Sequence, residues 1–106
     1  MAWIFLFAAG ILEVVWASFM KRSEGFTQVW PSVVTLVAMV ASVALLSLAM
    51  KSLPLGTAYT IWTGIGAVGA FAVGVLVMGE AATPTRLLAA GLIISGLVMM
   101  KLSSSE

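Results

Sequence analysis

Four long apolar stretches, parted by short polar breaks, make up almost the whole chain. They run from about Ala2 to Met20, Ser32 to Met50, Thr57 to Met78 and Thr85 to Met100, each close to the roughly 17–25 residues that a helix needs to cross a bilayer. The pattern predicts four helices, about 2–20, 32–50, 57–78 and 85–102, forming a single four-helix transmembrane domain over residues 1–106. The breaks carry recognisable punctuation. Lys21-Arg22-Ser23-Glu24-Gly25 fills the first, and Trp30-Pro31 opens the second helix with an interfacial aromatic and a proline suited to a first turn. Lys51-Ser52-Leu53-Pro54-Leu55-Gly56 forms the second break. In the third, after Gly79-Glu80, Thr83 suits an N-cap and Pro84 the first helical position. Ser103 to Glu106 is a polar tail, expected to fray.

One residue breaks the apolar pattern. Glu13 is the only carboxylate inside the first stretch, and a charge at the centre of a membrane helix costs roughly 2.5–3.5 kcal/mol on insertion scales. An ionisable group kept at that cost is a functional-site hypothesis. The first stretch lacks a basic leading region and an evident cleavage site, so it is expected to be a retained helix rather than a secretory signal.

Composition agrees with the pattern. The chain is 62% hydrophobic and 8% charged, against about 45–50% and about 25% in a typical soluble domain. It has no cysteine and no histidine, which removes thiol chemistry, imidazole general bases and the usual zinc or haem ligands. One buried acid without those groups gives no nucleophile–base pair, so an enzyme is not expected. No cofactor or metal is implied. The net charge of +1 leaves no basic stripe for nucleic acid.

Four spans put both termini on one side of the membrane, where Lys51 and Lys101 also lie, with Lys21, Arg22 and Arg86 on the other. Counting the terminal amine, the two sides balance. Small loops often give ambiguous counts, and that is one reading of the balance. The other is that the chain inserts both ways. Four helices are too few to enclose a polar pathway, and two oppositely oriented copies would supply the inverted repeat common to secondary transporters. An antiparallel, dual-topology homodimer is therefore expected.

Helical spacing puts Ala9 and Gly10 one turn before Glu13 on its face, and Trp16 and Ala17 one turn after. Small residues leave room beside the carboxylate, and the indole offers an N–H donor and an aromatic face. A second polar face lies on the third helix, where Tyr59, Trp62, Thr63 and Gly66 fall at i, i+3, i+4 and i+7. Ser42, near the middle of the second helix, is a possible donor to a facing carboxylate. Each has a plainer reading: Trp16 and Tyr59 as interface anchors, like Trp3 and Trp30, and Ser42 bonded to its own backbone. Glu13 has no intramembrane lysine or arginine to pair with.

Gly64, Gly66 and Gly69 weaken the third helix by roughly 1 kcal/mol each relative to alanine. They mark either a hinge or a close helix contact. In the fourth helix Gly91 and Ser95 form a small-xxx-small pair, and Ala89 and Gly96 stand seven apart. With no embedded polar group beyond serine, this helix is assigned to helix-pair contacts and assembly.

Glu13-Val14-Val15-Trp16, the run Lys51 to Tyr59, and Trp62-Thr63-Gly64-Ile65-Gly66-Ala67-Val68-Gly69 together resemble the small multidrug resistance transporters over essentially the whole chain. Trp16, with Trp62-Thr63-Gly64-Ile65-Gly66, is similar to the guanidinium exporter subtype rather than the quaternary ammonium subtype. The resemblance implies an antiparallel dimer in the bacterial inner membrane, whose two Glu13 carboxylates bind either substrate or protons. It also implies a site lined by Gly10, Trp16, Ser42, Tyr59, Trp62 and Thr63, a kink at Gly64 and Gly66, and a dimer contact through the fourth helices. Thr60 and Ala89 depart from the family's usual alanine and glycine. The activity implied is proton-coupled export of guanidinium and small substituted guanidinium cations by alternating access, the partners being a second copy, the cation, protons and lipid. The alternatives are a broader exporter of quaternary ammonium cations and a non-transporting membrane assembly subunit.

Overall fold

The computed structural model describes residues 1–103, so the expected polar tail lies, beyond Ser103, outside the described residues. The four stretches form α1 (Ala2–Arg22), α2 (Val29–Ala49), α3 (Leu55–Leu76) and α4 (Pro84–Leu102). At about 1.5 Å per residue each spans about 30 Å, the thickness of a bilayer's hydrocarbon core.

Helix ends depart from the apolar pattern where backbone bonding overrides it. α2 starts three residues before the expected Ser32, because the Gln28 carbonyl accepts the Ser32 N–H at 3.1 Å. Pro31 then sits in the first turn, where its missing N–H has no helical acceptor to satisfy. α3 starts directly after Pro54, whose carbonyl accepts the Ala58 N–H at 3.0 Å, and it ends at Leu76 rather than Met78. α4 begins with Thr83 Oγ1 accepting the Arg86 N–H at 3.2 Å and Pro84 as its first residue, the cap that the sequence suggests.

Helix α1 is the central element. It packs on both α2 and α3, while the α4 backbone packs on α3 alone among the described residues. Leu6 and Ala9 of α1, Leu46 and Ala49 of α2, Leu53, and Ala58, Ile61 and Trp62 of α3 form one buried cluster, gathered at the end of the bundle that holds the second loop. Lipid tails are as apolar as leucine, so association inside a membrane relies on close packing and polar contacts rather than on burial from water. The glycines serve that need. A Cβ on Gly10 would come within 2.7 Å of Ile65 Cγ2, one on Gly69 would fall on Val14, and one on Gly64 on Leu97. Thus Gly10 and Gly69 bring α1 against α3, and Gly64 brings α4 against α3.

The result is thin, with Cα extents of 43 × 34 × 16 Å. No residue of α4 is buried. One protomer therefore cannot wrap a polar centre on all sides.

Candidate functional site

Glu13 stands about 16 Å along α1 at the helical rise, close to mid-depth. Its carboxyl group lies against Gly66 of α3, where a Cβ would fall on the carboxylate itself. Oε1 is buried with no hydrogen-bond partner. Trp16, one turn further along the same face, holds its indole N–H in the same condition. An acceptor and a donor on one face of α1 are thus both withheld from solvent and both unused.

A polar chain crosses the three helices at the edge of the buried cluster. The Trp62 indole donates to Ser42 Oγ at 3.1 Å, and Ser42 Oγ donates to the Ala9 carbonyl at 2.7 Å. Ser42 is fully buried. This corrects both readings of that serine: its proton goes neither to Glu13 nor to its own helix, but to a backbone oxygen one turn before Glu13 on α1. The bond fixes α2 and α3 on the carboxylate's helix and holds the Trp62 ring in place. Tyr59 stacks on Trp62 at 5.5 Å between ring centres, tilted by 56°.

The expected polar face of α3 divides. Trp62 and Gly66 are buried towards α1, whereas Tyr59 and Thr63 are exposed and line a cleft of about 570 Å³ between α3 and α4, with Thr60, Gly64 and Gly96. The reason is angular: Trp62 and Thr63 are neighbours in sequence and therefore stand about 100° apart around the helix. Gly10, expected beside the cation, instead lies under Ile65. α3 is continuous through Gly64, Gly66 and Gly69.

The four small residues of α4 also fall on two faces. Gly96 lines the large cleft and Ala89 a smaller one beside Phe71 and Arg86. Gly91 is exposed, and Ser95 Oγ donates to the Gly91 carbonyl at 2.8 Å within the helix. Among the described residues no cluster of carboxylate side chains suits a metal.

Sequence reasoning missed the Ala9 carbonyl, which carries no residue-type signal, and the seating of Glu13 on Gly66. It also missed Lys101, whose ammonium stands 4.2 Å from the centre of the Trp3 ring, tying the end of α4 to the start of α1.

Comparison with known proteins bears on this arrangement. The sequence model of the family described as Small Multidrug Resistance protein matches residues 1–93. A protein of Salmonella typhimurium named guanidinium exporter is 59% identical over 104 residues, covering 98% of this chain and 99% of that one. Proteins of the same name from Citrobacter freundii and Yersinia pseudotuberculosis are 56% and 57% identical, again over 98% of this chain and 99% and 100% of theirs.

Proposed function

Because the chain belongs to the small multidrug resistance family, we propose that it exports guanidinium and small substituted guanidinium cations in exchange for protons. It is a multi-pass protein of the bacterial inner membrane. The observation that carries the reading is the buried Glu13 Oε1, unpartnered and seated against Gly66, with the unpartnered Trp16 indole one turn away. The name shared by its relatives supports the choice of cation.

Guanidinium is planar and permanently charged, and two of its N–H groups match the two oxygens of a carboxylate. Trp16, Trp62 and Tyr59 supply aromatic faces, each worth about 0.5–2 kcal/mol to a cation depending on desolvation. Tyr59 and Thr63 would meet the cation from the α3–α4 cleft, and Gly10, under Ile65, lets α3 approach α1 closely. Ser42 acts through Trp62, fixing the ring.

Proton and cation compete for Glu13. Exchange follows when the assembly passes between inward-open and outward-open states with the carboxylate neutralised by one or the other, since an empty charged carboxylate resists occlusion. Flexing at Gly64, Gly66 and Gly69 serves this movement.

The working unit of the proposal is an antiparallel homodimer, each protomer a single four-helix domain. The 16 Å thickness of one protomer, the lack of any buried α4 residue and the cleft beside Gly96 all favour a second copy. Ala89 and Gly96 on one face and Gly91 and Ser95 on the other give α4 two tracks for that contact. The balanced Lys and Arg count supports opposite insertion. Guanidinium-evoked current in proteoliposomes at several pH values, repeated with Glu13→Gln, tests the reading. A current that survives the substitution unchanged sinks it.

A further inference from the structure

The loop between α3 and α4 already holds a guanidinium group, the chain's own. Arg86 donates through Nη1 to the Ala81 carbonyl at 2.7 Å and through Nη2 to Glu80 Oε1 at 3.2 Å. Its guanidinium carbon stands 5.0 Å from the centre of the Phe71 ring. A carboxylate, a carbonyl and an aromatic face are the groups that recognise a planar N–H cation.

The cradle is shaped for this. Gly79 turns the chain at φ 72°, and the Glu80 N–H donates to the Gly74 carbonyl at 2.9 Å. The Glu80 carboxylate is thereby folded back over Gly74, where a Cβ would come within 2.6 Å of Oε2. Gly74 leaves room for the acid as Gly66 does for Glu13.

Glu80 also borders a cleft of about 150 Å³ between α1 and α3, together with Ala17, Ser18, Lys21 and Ala70. Ala17 is one turn beyond Glu13, and Ala70 one turn beyond Gly66. The seam that holds Glu13 at mid-depth thus ends at Glu80. Lys21 faces the same cleft, and its charge opposes a bound cation there, which makes the site weak, as a site of passage must be. The Ser18 hydroxyl is spent on the Val14 carbonyl at 2.7 Å.

We infer that Glu80, the Ala81 carbonyl and Phe71 form a second, weaker site for planar guanidinium-type cations on the α3–α4 side of the loop, next to the end of the α1–α3 seam that Glu80 borders, occupied by Arg86 until a free cation displaces it. The inference rests on the proposed cation export for its physiological meaning, but its binding test does not.

The test is titration of the full-length protein in detergent with methylguanidinium, in a Glu13→Gln background that silences the mid-depth site. Adding Arg86→Met frees the cradle and is expected to tighten binding about fivefold or more, from the carboxylate and aromatic contacts released. Adding Glu80→Gln removes that gain. Tetramethylammonium, which has no N–H, gains less than methylguanidinium. Arg86→Lys keeps a charge for Glu80 and forfeits the planar fork, so it yields a smaller gain, about twofold, and carries the test if the methionine variant does not fold. No gain in either Arg86 variant, or a gain that persists without Glu80, overturns the inference. Loss of Glu13-dependent binding in the wild-type chain would instead sink the export reading and leave this site standing.

Discussion

The carboxyl group of Glu13 rests directly on Gly66, so the acid of α1 is positioned by the absence of a side chain on α3. Any Cβ at residue 66 has to displace either the carboxylate or the helix. Overpacking of this kind costs about 1–3 kcal/mol. Gly66→Ala is therefore expected to weaken guanidinium binding roughly 5- to 150-fold, measured by titration of the purified protein. Gly56→Ala is the control, because open space surrounds Gly56. It should change binding little. Equal effects at the two glycines would show that Gly66 has no particular bearing on the acid.

Ser42 is the only link in the Trp62–Ser42–Ala9 chain that both accepts and donates. Ser42→Ala leaves the buried Trp62 indole N–H without a partner and takes the second donor from the Ala9 carbonyl, which keeps its bond within α1, a loss of about 1–3 kcal/mol. Lower thermal stability in detergent and weaker cation binding are both expected. Trp62→Phe removes the donor, so the double variant should be less impaired than the sum of the two single variants. Strict additivity would mean that the two side chains do not act together.

If proton and cation share Glu13, acidification fills the site with protons and lowers the apparent affinity for guanidinium. Titrations at falling pH should record that trend in the wild-type protein and a flat line in Glu13→Gln. Glu13→Gln should also abolish proton-driven uptake in vesicles while the helical circular dichroism remains. A steep pH dependence in the glutamine variant would move the proton site elsewhere.

Filling the α3–α4 cleft should weaken assembly if a second copy occupies it. Gly96→Leu places a branched side chain in that cleft, whereas Gly91→Leu adds one on the outward face. Sedimentation in detergent is expected to find a larger monomer fraction for Gly96→Leu than for the wild type. The Gly91 variant reports whether the outward track matters too. Wild-type dimer content in both variants would remove α4 from the contact.

The apolar pattern and a single acid were enough to read four spans, a membrane location and the residue on which the proposed site is built. Lipid makes that legible, because a spanning helix must be continuous and apolar and a charge within it stands out. The family resemblance was legible from Glu13 to Gly69 for the same reason. What the sequence left open was which faces meet. Gly64, Gly66 and Gly69 look alike as letters, yet one receives Leu97, one the Glu13 carboxylate and one Val14. Ser42 has as its acceptor the Ala9 carbonyl, a backbone atom that every residue type carries. Tyr59 and Thr63 share a helical face with Trp62 on paper, but Trp62 is buried while the other two open on the α3–α4 cleft, where only the Tyr59 ring still reaches the indole. Periodicity along one helix fixes which residues lie on the same side. Only the crossing of one helix over another decides what that side touches, and in this protein that crossing seats Glu13 on Gly66.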